Sequence, residues 1–277
     1  GTSFDFDQKI SFPWSNIPKG KFVIPKLLIT QLNNKIEVTY IRKVDKNILP
    51  TSITKEYKRY MVLIDRKIKL TTNATPRIKI KSETPNYKTY IKNVNTIIQT
   101  IKNKTLNKVV ISRVIKYSLS NNVSILNFIH YLNKNYTNCF NFIITFNKNT
   151  LLIGSTPEKI VQLQGKSFAV DAIAGSSKDK NNIKNSKEID EHNFVIKHIK
   201  QQMNDIASTI SIPKNPKILN LPYIYHLYTK ITGKIKNKTH ILDILTKLYP
   251  TPALLGDPHK YALKKINQYE KINRGWY

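Results

Sequence analysis

Lys108-Val109-Val110-Ile111-Ser112-Arg113 and Leu151-Leu152-Ile153-Gly154-Ser155-Thr156-Pro157-Glu158 are the stretches whose reading decides the fold. Each is an apolar run of strand length with one charged residue at its boundary. Lys108 heads the first run, and Glu158 stands in the turn after the second, fifty residues later. Taken singly, each has a bland reading: a solvated lysine at a strand edge, and an exposed turn carboxylate.

The neighbouring segments extend the pattern. Residues 159–164 and 167–173 continue residues 151–153 as a meander of strands. Residues 140–146 read as a further strand, preceded by a helix over 125–133. Pro85 suits the first position of a helix starting near Thr84, with Tyr90, Val94, Ile97, Ile98 and Ile101 on its apolar face. That helix is expected to end at Leu106, and 108–117 to form one strand. Towards the N-terminus, residues 21–25, 35–41, 59–65 and 77–80 read as short strands. Asn185 followed by Glu188 matches a capping box, ahead of the stripe Ile189, Val195, Ile196, Ile199, Met203 and Ile206. Residues 241–248 and 258–270 read as helices. The order of elements predicts an α+β fold of antiparallel sheets flanked by helices.

Composition narrows the function classes. The chain has 277 residues, 40% of them hydrophobic and 23% charged, which suits a globular protein with a sizeable core. No run approaches 18 apolar residues, so no membrane span is expected. The N-terminus lacks a signal-peptide pattern and an initiator Met, so the chain is read as a fragment or a processed form. Cys139 has no partner for an internal disulfide and is expected to be a small buried residue in a reducing compartment, cytoplasm or plastid stroma. The net charge of +29 raises the alternative of a basic nucleic-acid-binding module. Arginine, however, supplies only six of the 46 basic residues, and arginine is what bidentate base and phosphate recognition favours. Lysine is spread through every segment beside abundant Asn and Ile, as compositional bias would leave it. No nucleic-acid partner is expected.

Further motifs stand in order along the chain. They are Ala174-Gly175-Ser176, Glu188-Ile189-Asp190-Glu191-His192, His226-Leu227-Tyr228-Thr229 with Gly233, Tyr249-Pro250-Thr251-Pro252-Ala253, and Arg274-Gly275-Trp276-Tyr277. Each alone has a structural reading, such as a glycine turn or a carboxylate-rich first helical turn stabilised by the helix dipole. In this order, with the Lys108 and Glu158 motifs, they resemble the chorismate-utilising enzymes. That family includes the isochorismate, salicylate, anthranilate and aminodeoxychorismate synthases. Phe4-Asp5-Phe6 and Phe22-Val23-Ile24-Pro25 resemble its early segments. The resemblance implies an anthranilate synthase component I-like fold and one chorismate-binding catalytic domain over 1–277. It also implies that the family's C-terminal strands and an N-terminal extension are missing, so that residues 1–277 alone are expected to be inactive.

The resemblance further implies isochorismate synthase activity, with chorismate as substrate. Water adds at ring C2 and the C4 hydroxyl leaves. Lys108 would be the general base and Glu158 the general acid. A lysine base needs a lowered pKa and a glutamate acid a raised one. Gly175, Ser176, His226, Thr251 and Tyr277 would contact the substrate. Glu191 would bind Mg²⁺, with Glu188 a water-mediated ligand. Salicylate synthase and anthranilate synthase are the alternatives within the family. Ala174 occupies the slot where the aminodeoxychorismate synthases carry a nucleophilic lysine, which disfavours that activity. Service to menaquinone or phylloquinone synthesis, and a monomeric state, complete the expectations.

Overall fold

A computed structural model describes residues 14–15, 17–18, 20–44, 49–65, 76–103 and 105–276. The chain divides into two compact units, residues 1–72 with 274–277, and residues 73–273.

The smaller unit contains the hairpin β1 (Leu27–Leu32) and β2 (Lys35–Tyr40), followed by helix α1 (Pro50–Ile64). Asn33 takes a left-handed φ of 53° in the hairpin's two-residue turn, a conformation Asn tolerates. Glu56 of α1 pairs with Lys26 and, at 2.7 Å, with Arg42, while the Tyr40 ring meets Tyr57 and Tyr60. Residues 59–65, expected as a strand, lie mostly in α1. Pro50 at the first helical position starts the helix, and Ile53, Tyr57, Tyr60 and Ile64 recur at helical spacing on its less exposed side. Residues 21–25 form no strand, and Phe22, Val23 and Ile24 are exposed. In the same unit, Gly275 presses against the Trp14 ring with φ +53°, and the Trp276 indole donates to the Pro18 carbonyl at 2.8 Å. Phe4 to Phe6 lie outside the described residues.

The larger unit opens with β3 (Ile78–Thr84), α2 (Tyr87–Lys102), β4 (Lys108–Val109), β5 (Val114–Leu119) and α3 (Ile125–Asn135). It continues through β6 (Phe140–Asn147), β7 (Thr150–Thr156), β8 (Gln162–Gln164), β9 (Ser167–Ser177) and α4 (Ser186–Asn204). It ends with β10 (Ala207–Ser211), β11 (Lys217–Leu221), β12 (Ile224–Ile235), α5 (Ile241–Leu248), β13 (Gly256–Asp257) and α6 (His259–Tyr269). The main sheet is antiparallel, in the order β10-β12-β9-β8, with β11 also on β12. Two-stranded pairs β3–β5, β6–β7 and β4–β13 surround it. The α+β expectation holds.

Alternation sorts the two long central strands. Phe168, Val170, Ala172 and Ala174 of β9, with Leu227, Thr229, Ile231 and Ile235 of β12, are buried on one face. Helices α4 and α5 cover that face with Val195, Ile199, Met203, Ile244 and Leu248. The strands β10, β11 and β12 were not anticipated. The stretch 108–117 is two strands with residues 110–113 between them, because its first part pairs with β13 and its second with β3. Helix α2 starts at Tyr87, since β3 runs through Thr84 and the Asn86 side chain caps Thr89 N–H at 2.9 Å. Cys139 is free and partly, rather than fully, buried. Half of the capping box forms: Asn185 accepts from Glu188 N–H at 3.0 Å, but the Glu188 carboxylate turns away from the helix end. Ile189, expected on the apolar stripe, is exposed.

Ile199 is fully buried between α4 and the sheet. Ile199→Ala is expected to cost about 2–5 kcal/mol, the range for emptying a buried aliphatic site. Thermal unfolding followed by circular dichroism would register a clear fall in Tm; an unchanged Tm would remove this residue from the core argument.

Candidate active site

A short ladder fixes Lys108. Lys108 and Val109 pair with Asp257 and Gly256, and Asn107 holds Asp257 through its N–H at 2.9 Å and its side-chain amide at 2.8 Å. Gly256, at φ +127°, lies so close that a Cβ there would fall 2.2 Å from Lys108 O. Thr251 is buried at the head of this turn, its carbonyl accepting from Leu254 and Leu255 N–H groups. The anchored Lys108 side chain is nearly buried, and its Nζ lies 2.8 Å from Glu191 Oε1. The contact is ionic and does not satisfy hydrogen-bond angles.

Glu191 stands in the second turn of α4, whose start is bolted to the sheet by His192. The ring is buried and both nitrogens are engaged, Nδ1 with Ala174 O at 3.1 Å and Nε2 with Thr229 Oγ1 at 2.8 Å. Ala174 O only accepts, so Nδ1 donates and the threonine hydroxyl donates to Nε2. Burial pulls this imidazole below its ordinary range, in keeping with the neutral form. His192 thus positions α4 and has no nitrogen left for a metal.

A bulge builds the next part. Leu227 pairs with Ala174, and His226 with Ser176, which leaves Gly175 as the extra residue. Gly175 has φ +75°, and a Cβ there would lie 2.5 Å from Glu188 O. Glycine is therefore required both by the backbone and by the approach of α4. Skipping one residue shifts the alternation, so Ser176 joins His226 on the face opposite α4. Ser176 Oγ and His226 Nδ1 are 2.8 Å apart. Burial lowers the His226 pKa, and the Glu191 charge opposes that shift. Ser176 N–H donates to Glu188 Oε2 at 2.7 Å, and Lys187 Nζ sits 2.9 Å from Glu188 Oε1.

Glu158 follows β7, its N–H bonded to Thr156 Oγ1 at 3.2 Å. Burial, and then the nearby Asp171 charge, push its carboxyl from 4.5 up to about 7, with Lys108 acting in the opposite direction. Lys108 is thus within electrostatic reach of both Glu158 and Glu191. Asp171, three residues before Ala174 in the sequence motif, was given no role there. Its signal was a carboxylate inside the apolar strand Ser167–Ser177, and it is buried there.

The structure therefore brings Lys108, Glu158, Glu188, Glu191, Gly175, Ser176 and His226 into one linked set. Thr251 supports the Lys108 ladder, and Tyr277 lies outside the described residues. Among the described residues, no cluster of three His, Cys, Asp or Glu forms a metal site. Glu188 and Glu191, one helical turn apart, nevertheless both hold ammonium groups where a hard cation would find oxygen ligands. A cavity of ≈ 930 Å³ lies between α2, residues 107–111 and the first turns of α4. Lys108 and Glu191 stand in its wall, whereas Glu158 and His226 do not line it.

The raised Glu158 pKa has a stability consequence. The folded state holds a proton that the unfolded chain releases from about 4.5, so stability is full below that pH and declines until about 7. Glu158→Gln is expected to remove this decline. Urea unfolding at several pH values checks it; parallel pH profiles for both proteins would contradict the assignment.

Known proteins resemble this chain in sequence and fold. The family model for chorismate binding enzyme matches residues 1–277. The isochorismate synthase MenF of Bacillus subtilis is 24% identical over 291 residues, covering 100% of this chain and 60% of that protein. The crystal structure of anthranilate synthase component I from Streptococcus pneumoniae superposes with TM-score 0.71 at 17% identity, covering 87% of this chain and 56% of that one. MenF, the menaquinone-specific isochorismate synthase of Escherichia coli, gives TM-score 0.66 at 21% identity, with coverages of 81% and 55%. This chain spans little more than half the length of these relatives. On the whole-length family match, the chain belongs to the chorismate binding enzymes.

Proposed function

We propose that this chain carries the acid and base of a protein that isomerises chorismate to isochorismate. One arrangement carries the reading: Glu158 is enclosed near Asp171, and burial and that charge together push its carboxyl up to about 7, as suits a general acid, within electrostatic reach of the nearly buried Lys108. In the proposed step, the amine form of Lys108 accepts a proton from water as the water oxygen bonds to ring C2. The ring double bonds shift, the C4–O bond breaks, and Glu158 gives its proton to the departing hydroxyl, which leaves as water. Atoms and charge balance, because one water enters and one departs.

Ser176, His226, the backbone at Gly175, Thr251 and Tyr277 are assigned to substrate binding. Glu191 is assigned as a Mg²⁺ ligand and Glu188 as a ligand acting through water. Bound there, Mg²⁺ would supply charge for the substrate carboxylate. Ala174 offers no amine for a covalent adduct, which favours water as nucleophile. The menaquinone-specific enzyme of Escherichia coli among the relatives supports quinone synthesis as the process served. A reducing compartment, cytoplasm or plastid stroma, suits the free Cys139.

Tests belong in the native protein. Lys108→Ala and Glu158→Gln are each expected to cut turnover by roughly 10²-fold or more. Wild-type turnover should fall as pH rises beyond about 7, where Glu158 loses its proton. Near-normal turnover in either variant would withdraw that residue's role. Glu191→Gln should raise the Mg²⁺ concentration needed for half-maximal rate, and an unchanged requirement would count against it as a ligand.

A further inference from the structure

We infer that Asp171, held by Tyr228, is the positioning residue that makes Glu158 the proton donor. This rests on the role proposed for Glu158. Asp171 is buried in β9, on the face away from α4. Both of its carboxylate oxygens accept hydrogen bonds: Oδ1 from the Tyr228 hydroxyl at 2.9 Å, and Oδ2 from Lys159 N–H at 3.2 Å. The Asp171 N–H in turn donates to Lys159 O at 3.2 Å. These two reciprocal bonds clamp the turn that carries Glu158 onto β9. Thr156 Oγ1 secures the Glu158 N–H from the other side.

The arrangement suits an ionised Asp171. Two donors meet its two oxygens, which offsets the cost of burying the charge. The phenol of Tyr228 is itself pushed up to about 12, first by burial and then by its bond to Asp171, so it remains a donor at any working pH. The Lys159 ammonium, which might have neutralised Asp171, bonds Gln162 Oε1 at 3.1 Å instead. Asp171 therefore presents an uncancelled negative charge towards Glu158. Two carboxyl groups in one buried site resist double ionisation, so one stays charged and the other stays protonated. The charged groups that act on Glu158 are Asp171, which favours its protonated form, and Lys108, which opposes it.

The bland alternative is that Asp171 merely fastens the turn. Asp171→Asn separates the two readings, because it keeps the shape and acceptor oxygen and removes the charge. The experiment is a carbon-13 NMR titration of the Glu158 carboxyl, assigned with Glu158→Gln, in the native protein and its variants. Asp171→Asn should lower the proton affinity of Glu158 about tenfold, while burial keeps it above an ordinary glutamate. An unchanged midpoint in the folded variant would overturn the inference. Should Asp171→Asn fail to fold, Tyr228→Phe supplies the reading. It removes one of the two donors that keep Asp171 ionised, so the Glu158 midpoint should fall, and an unchanged midpoint in the folded variant would overturn the inference. The titration needs no turnover. An unshifted Glu158 therefore removes the coupling and leaves the proposed reaction standing, whereas full activity in Glu158→Gln removes the reaction and leaves the coupling standing.

Discussion

The placement of Ser176, His226 and the first turns of α4 depends on the ladder between β9 and β12, and on the one residue it skips. Up to Ala174 the two strands keep a common register with apolar partners facing α4. At Gly175 one residue drops out, and Ser176 meets His226 on the other face. The same bulge lets the backbone approach Glu188, which receives the Ser176 N–H. His192 then bolts α4 to Ala174 and Thr229. A side chain at position 175 would push α4 away, and Glu188 and Glu191 would move with it.

The electrostatics grow from that scaffold. Glu158 and Glu191 are the same residue type in different environments. Glu191 is partly exposed and paired with Lys108, whereas Glu158 is enclosed and faces Asp171. Environment alone raises the Glu158 carboxyl to about 7, beside the ion pair of Glu191 with Lys108. The chain as a whole carries a net charge of +29, which favours the approach of anions.

Much of this was legible in the sequence. The strand start at Lys108, the Asn185 cap and the span Ile241–Leu248 follow from apolar spacing and capping chemistry. The run Tyr60-Met61-Val62-Leu63-Ile64 reads as a strand in a short window, and Pro50, ten residues earlier, with the spacing of Ile53, Tyr57, Tyr60 and Ile64 reveals the helix. Strand β12 escaped because its core positions include Thr229 and Gly233, which blur the alternation of Leu227, Ile231 and Ile235. The type and spacing of Lys108, Glu158 and Glu191 were readable. Asp171 was not, because its importance lies in a clamp to Lys159 and a bond to Tyr228, 57 residues apart in sequence.

The central claim is that this site exchanges one hydroxyl for a water on the chorismate ring. Turnover of chorismate by the native protein in ¹⁸O-enriched water, with Mg²⁺ and ammonium present and the product followed by mass spectrometry and NMR, tests it most directly. The account predicts isochorismate carrying one solvent-derived ¹⁸O at C2. Anthranilate as the main product, or isochorismate without the label, would contradict it.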